Sequence, residues 1–123
     1  MTSKIINQNL KFDIVLKILL SSNDRYLVVS NSQKKLKGTI TEGDIRRFLF
    51  RKKFRDLSKF TANDLMNKKP FFIIKNFTNK KKLNSLKFKN HIKFYPLVDK
   101  NKKILKIFKN KITKSQSIKN NAV

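Results

Sequence analysis

The run Gly38-Thr39-Ile40-Thr41-Glu42-Gly43-Asp44-Ile45-Arg46-Arg47 holds the residues best suited to chemistry. Its pattern predicts a strand ending at Thr41, a turn through Glu42-Gly43 and a helix beginning near Asp44. Such a junction presents a hydroxyl and unpaired helix N-terminal amides, a combination suited to a phosphate oxygen. An ionised carboxylate in the first helical turn accepts two hydrogen bonds from vicinal hydroxyls, as on a ribose. Arg46 and Arg47 add positive charge beside it. Thr-x-x-Asp before an apolar run is also a capping signature, in which Thr41 and Asp44 only close the helix end. Taken alone, the spacing leaves both readings open.

The rest of the chain offers little for catalysis. It has 123 residues and no cysteine, which excludes disulfides, thiolate zinc sites and cysteine nucleophiles. The single histidine, His91, cannot by itself make a zinc site or a triad, and a surface or loop position suits it best. We expect no enzyme and no required cofactor. No apolar run approaches the length of about 18 residues that a membrane span needs, and the N-terminus lacks the apolar stretch of a signal peptide. The sequence therefore reads as soluble and cytoplasmic.

Several elements must position the Thr41–Asp44 run. Phe12 to Leu20 places apolar residues at Phe12, Val15, Leu16, Leu19 and Leu20, the spacing of one helix face, with Asp13 in the first turn. Tyr26-Leu27-Val28-Val29 is too short for a helix and reads as a buried strand. Asn31 to Lys34 is a turn without the usual glycine, and Leu36 to Thr41 is the second strand of a hairpin-like pair. Asp44 to Phe50 is helical, Arg51 to Lys59 a charged connector, and Thr61 to Met66 one helical turn with Thr61 as N-cap and Asp64 at the capping-box position. Phe71 to Ile74 reads as a strand after Pro70, Lys80 to Lys89 as a weak lysine-rich helix, and Phe94 to Val98 and Ile104 to Phe108 as two strands around Asp99 to Lys102.

These elements repeat. Ile5-Ile6, helix, Tyr26 to Val29, turn and Leu36 to Ile40 correspond to Ile73-Ile74, helix, Tyr95 to Val98, turn and Ile104 to Phe108, at an interval of about 69 residues by this reading. The predicted fold is α/β (α+β), with two β-α-β-β units packed as a pseudo-symmetric pair: repeat 1 over 3–66, repeat 2 over 67–110, and a polar tail over 111–123 expected to be disordered. Clefts between packed halves are common ligand sites.

Lysine and arginine number 31 against 7 aspartates and glutamates, a formal net charge of +24. Such an excess favours polyanions, nucleic acid first. Yet 26 of the 31 are lysine, scattered from Lys4 to Lys119, whereas nucleic-acid readers tend to gather arginine on one face. Lysine, asparagine, isoleucine and phenylalanine make up 64 of the 123 residues, and all have codons built largely of A and T. Genome composition raises the charge without selection for a partner, so this pattern weighs against nucleic acid. A basic interaction surface at Lys80-Lys81-Lys82 or in the C-terminal third is the remaining use for it.

The ordered set of motifs resembles a tandem pair of CBS domains, the Bateman module. Gly38, Thr39-Ile40, Thr41, Glu42-Gly43, Asp44 and Ile45 match the family's ligand stretch. Tyr26 to Val29 matches its preceding strand, Asp64-Leu65-Met66-Asn67-Lys68-Lys69-Pro70 its inter-repeat junction, and Tyr95-Pro96-Leu97-Val98-Asp99 the corresponding strand of a second repeat. The resemblance covers residues 3 to 109. More narrowly, Gly38 to Arg47 is similar to CBS pairs that precede bacterial sugar-phosphate nucleotidyltransferases.

The resemblance implies a regulatory module that binds an adenosine nucleotide such as AMP, ADP or ATP in the cleft of repeat 1, and that works on, or derives from, such a nucleotidyltransferase. It implies that Asp44 holds ribose hydroxyls, that Thr41 contacts phosphate, that Tyr26 and Leu27 flank adenine, and that Arg46 and Arg47 reach phosphate. A homodimer is implied as well. The alternatives are a ligand-free dimerisation or interaction module and a nonspecific basic nucleic-acid binder. Repeat 2 departs from the pattern: Lys106-Ile107-Phe108-Lys109-Asn110-Lys111 stands where glycine and Thr-x-x-Asp belong, so one functional cleft is expected.

Overall fold

Tyr26-Leu27-Val28-Val29 is apolar throughout, so a strand built from it needs partners on both edges and cover on both faces. The computed structural model, which describes residues 4–75 and 92–110, provides the edges. Strand β2 (Tyr26–Ser30) lies between β1 (Ile5–Asn7), parallel to it, and β3 (Leu36–Thr41), antiparallel to it. All five β2 residues are buried.

Helices α1 (Phe12–Ser21), α2 (Glu42–Arg51) and the single turn α3 (Ala62–Leu65) cover one face of this sheet. The core they close contains Val15 and Leu19 of α1, Leu27 and Val29 of β2, Ile40 of β3, and Ile45 and Phe48 of α2. Phe48 packs edge-on against Phe60 at 4.9 Å between ring centroids and stacks on Phe12 at 6.3 Å. The segment before α1 and the start of α3 bind each other through backbone: Phe12 N–H donates to Phe60, Ala62 N–H to Leu10 and Asn63 N–H to Gln8. This supplies helix-end donors with acceptors even though Lys11, the α1 N-cap, offers none from its side chain.

The expected boundaries hold closely for α1, β2 and β3. Helix α2 starts at Glu42, ahead of Asp44, because Thr41 is its N-cap and places Asp44 in the third helical position. The charged connector contains a short 3-10 helix, Leu57–Lys59, preceded by left-handed backbone at Lys53, Phe54 and Asp56.

The chain divides between Pro70 and Phe71 into two compact units. In the second, β4 (Ile73–Ile74) runs parallel to β5 (Phe94–Val98), which pairs antiparallel with β6 (Ile104–Lys109). The β-α-β-β pattern of unit one thus has its strands repeated, in the same order and directions. The helix expected at Lys80 to Lys89, His91 and the tail beyond 110 lie outside the described residues.

Pairing corrects the alignment of the repeats by one residue. Tyr26 faces Thr41 in unit one and Phe94 faces Lys109 in unit two, so Phe94, not Tyr95, occupies the place of Tyr26. Strand β4 is also shorter than the expected Phe71 to Ile74. In the first sheet Val28 N–H donates to the Lys4 carbonyl at 2.7 Å, and the residue standing in Val28's place is Pro96, which has no N–H.

Both hairpins turn alike. Asn31 Oδ1 accepts from the amides of Gln33 and Lys35, and Asp99 Oδ1 from those of Asn101 and Lys103. Lys34 (φ 61°) and Lys102 (φ 65°) take the left-handed position that the missing glycine would ordinarily fill. That position costs a non-glycine residue about 1 to 2 kcal/mol, while glycine gives back about 0.5 to 1 kcal/mol through unfolded-state entropy. Lys34→Gly and Lys102→Gly are each expected to raise stability by about 0.5 kcal/mol in urea melts; a loss would mean the lysine side chains make contacts that outweigh the strain.

Candidate functional site

Thr41 is at once the last residue of β3, the register partner of Tyr26 and the N-cap of α2. That triple placement brings a strand end, a helix N-terminus and a carboxylate together. Asp44 Oδ2 accepts from the Thr41 amide at 2.9 Å and from the Thr41 hydroxyl at 3.0 Å, while the Asp44 amide approaches Thr41 Oγ1 at 3.4 Å. The capping reading of Thr-x-x-Asp is therefore satisfied.

The other carboxylate oxygen is engaged differently. Arg47 Nη2 donates to Asp44 Oδ1 at 2.8 Å, across one helical turn. The Asp44 side chain is 14% exposed and that of Arg47 is 70% exposed, so a largely solvated guanidinium lies on a carboxylate that is mostly enclosed. Gly43 makes room for it: a Cβ there would stand 3.2 Å from Arg47 Nη1. An ion pair this exposed contributes little to stability. It is correspondingly easy to exchange for another hydrogen-bonding group.

A second Thr-x-x-Asp box serves as an internal comparison. Asp64 Oδ2 accepts from the Thr61 amide at 2.9 Å and the Thr61 hydroxyl at 3.3 Å, and this box is exposed. Asn67 stands three residues after Asp64, where the first box has Arg47. Capping geometry is thus common to both boxes, and the arginine and the adjoining Tyr26 distinguish the first.

The remaining expected site residues are placed unevenly. Tyr26 is buried, and desolvation pushes its phenol above the ordinary value, which keeps it neutral. Leu27 is fully buried, with its side chain in the helix-covered core. Arg46 is exposed on α2. The sequence reading left out Arg25 and Glu42, whose side chains pair at 3.4 Å directly beyond the Tyr26–Thr41 register pair. Opposite charges one residue outside a strand pair were the available signal. Asp24, next to Arg25, forms a further ion pair with Lys4.

In unit two, Lys109 stands where Thr41 stands in unit one, with its ammonium 6.0 Å from the centre of the Phe94 ring. Lys106 replaces Gly38, and its ammonium lies 5.1 Å from the Phe108 ring centre. Tyr95 packs between Phe71 and Phe108, at 6.0 and 5.7 Å, and burial raises its phenol too. The hydroxyl of Thr41 has no counterpart at Lys109. Among the described residues no group of three His, Asp or Glu side chains could hold a metal ion, and no helix is long and apolar enough to cross a membrane.

Residues 3–51 match the family model described as CBS domain. No curated protein matches the sequence. Among solved structures, a CBS domain protein from Streptococcus pneumoniae is 15% identical, with 98% of this chain and 81% of that one covered and a TM-score of 0.75. CbpB from Listeria monocytogenes, solved in complex with c-di-AMP, is 21% identical over 96% of this chain and 88% of its own, with a TM-score of 0.72. CBSX2, a CBS-pair protein of Arabidopsis thaliana, solved in complex with AMP, is 18% identical over 95% of this chain and 88% of its own, with a TM-score of 0.70. The match to the CBS domain thus spans residues 3–51, and the fold is that of the CBS-pair structures.

Proposed function

We propose that this CBS-pair module binds an adenosine nucleotide through the Thr41–Asp44 junction and regulates a partner protein by doing so. The observation that carries the reading is the state of Asp44: one oxygen is fixed by the helix cap, and the other is held, among the described residues, by an exposed arginine alone. Ribose hydroxyls would take Oδ1 in place of Arg47, and the released guanidinium would meet the phosphate, with Arg46 beside it. Thr41 and the open amides of α2 would supply neutral donors to the same phosphate. Tyr26 and Leu27, in β2 opposite the end of β3, would border the base, Leu27 through its backbone. Two CBS-pair structures of the same fold hold AMP and c-di-AMP, which favours an adenine ligand.

Ligand binding changes activity elsewhere only through different affinities for two states, so the module acts within a homodimer or on a partner, for which a sugar-phosphate nucleotidyltransferase is the proposed class. The pre-existing Arg47–Asp44 pair also favours a second reading, a ligand-free interaction module whose site is closed. Calorimetric titration of the intact protein with AMP, ADP, ATP and c-di-AMP separates the two. Saturable binding of at least one supports the sensor; heats no larger than those of dilution for all of them would leave the interaction module.

A further inference from the structure

The lysine excess is diffuse, but the arginines are not. The chain has five, and four of them, Arg46, Arg47, Arg51 and Arg55, fall within ten consecutive residues. A codon bias towards A and T enriches lysine and works against arginine, whose codons each contain a G. Composition therefore accounts for the lysines and leaves this cluster unexplained.

Structure gives the cluster a form. Arg46 and Phe50, Arg47 and Arg51, and Phe50 and Phe54 are each four residues apart, and all are exposed. Phe50 is 67% and Phe54 59% exposed, large values for phenylalanine, and their rings meet edge to face at 5.9 Å. The chain reaches this arrangement against its preferences. After α2 ends, Lys53 (φ 53°) and Phe54 (φ 59°) both adopt left-handed backbone, and Phe54 N–H donates back to the Leu49 carbonyl at 3.1 Å. Two consecutive non-glycine residues in that region are costly, and such strain concentrates at functional positions. Asp56 is the only acid between Asp44 and Asp64.

We propose that Phe50, Arg51, Lys52, Lys53, Phe54 and Arg55 form a binding surface for single-stranded nucleic acid. Exposed aromatic rings accept bases by stacking, without regard to sequence, and interleaved cations track the phosphates. Arginine, with its planar fork, grips phosphate in two hydrogen bonds and stacks on bases, which lysine does not. In an edge-to-face pair one ring keeps both faces clear of the other, as a stacking platform requires. The surface is separate from the proposed nucleotide site, which uses Arg46 and Arg47 but none of these six residues.

The test is fluorescence anisotropy of the intact protein with labelled oligo(U) and oligo(dT) of about 12 nucleotides, a length within the usual range of site sizes. Arg51→Lys with Arg55→Lys keeps the net charge, and is expected to weaken binding about tenfold, as is Phe50→Leu with Phe54→Leu. Lys100→Gln with Lys103→Gln removes two charges elsewhere and is expected to change affinity less than twofold. Circular dichroism and thermal melting establish that each variant is folded. Equal binding by the arginine-to-lysine variant would reduce the effect to bulk charge and overturn the proposal. So would binding of phosphatidylserine vesicles or polyglutamate, lost in the phenylalanine variant, in the absence of oligonucleotide binding.

Discussion

Asp44→Ala is expected to weaken AMP binding ten- to a hundredfold, while Asp64→Ala leaves it unchanged, although the two substitutions remove the same kind of capping box. Each loses two hydrogen bonds to a threonine N-cap, and the stability cost is about 1 kcal/mol in both cases. The binding difference arises from the second carboxylate oxygen. Asp44 is 14% exposed, lies three residues beyond Thr41, the register partner of Tyr26, and offers that oxygen to an exchangeable arginine. Hydrogen bonds to a charged acceptor are worth about 1.5 to 3 kcal/mol, which sets the expected range of affinity loss. Calorimetry paired with urea denaturation on the three proteins reads both quantities. Equal effects of the two substitutions on binding would mean that Asp44 acts only through helix stability.

The largest effect on stability is expected from Gly38→Ala, about 3 kcal/mol of destabilisation, or about 10 °C in melting temperature. A Cβ at Gly38 would stand 2.5 Å from the Asn67 carbonyl oxygen and 2.7 Å from Met66 Sδ. The sulfur could move, but the carbonyl is fixed. Thr39 and Asn67 exchange two backbone hydrogen bonds, at 3.2 and 2.8 Å, which clamp the segment after α3 onto β3. An alanine must push that clamp open. Gly43→Ala is the control, since its Cβ meets only the mobile end of Arg47, and stability should stay within about 0.5 kcal/mol of wild type. A Gly38→Ala protein that melts like wild type would contradict this packing.

The two glycines of the motif therefore have separate physical reasons: Gly38 admits a neighbouring backbone, and Gly43 admits a guanidinium. Neither reason is visible in the sequence, where Gly38 reads as a strand residue and Gly43 as a turn residue. What the sequence does carry is local pattern. The β-branched run at Tyr26 to Val29, the helical spacing of Phe12 to Leu20 and both Thr-x-x-Asp caps have short-range causes, and each appears close to its expected place. Features that depend on a partner strand were misplaced. Pairing sets Phe94 opposite Lys109, and Pro96 withholds the amide that would have lengthened β4. Both hairpin turns stand where they were expected, at Asn31 to Lys34 and Asp99 to Lys102; what the sequence hid is that lysine takes the left-handed position that ordinarily calls for glycine.

Within the candidate site, Thr41 and Asp44 were legible because a strand end followed by a capping box has a fixed geometry. The Arg47 contact follows from the same helix, three residues on. Leu27 was less legible: alternation along β2 sends its side chain into the core and leaves only its backbone to face outward. The exposed Phe50–Phe54 pair could not be foreseen, since it depends on two left-handed residues beyond the helix end.

The most direct measurement of the central claim is the change in backbone amide resonances of the intact protein as AMP is added. The largest shifts are expected at Tyr26, Leu27 and Thr41 to Arg47, with Lys106 to Asn110 of the second unit unmoved. No shift at Thr41 and Asp44 under saturating AMP, or equal shifts at Lys106 to Asn110, would contradict it.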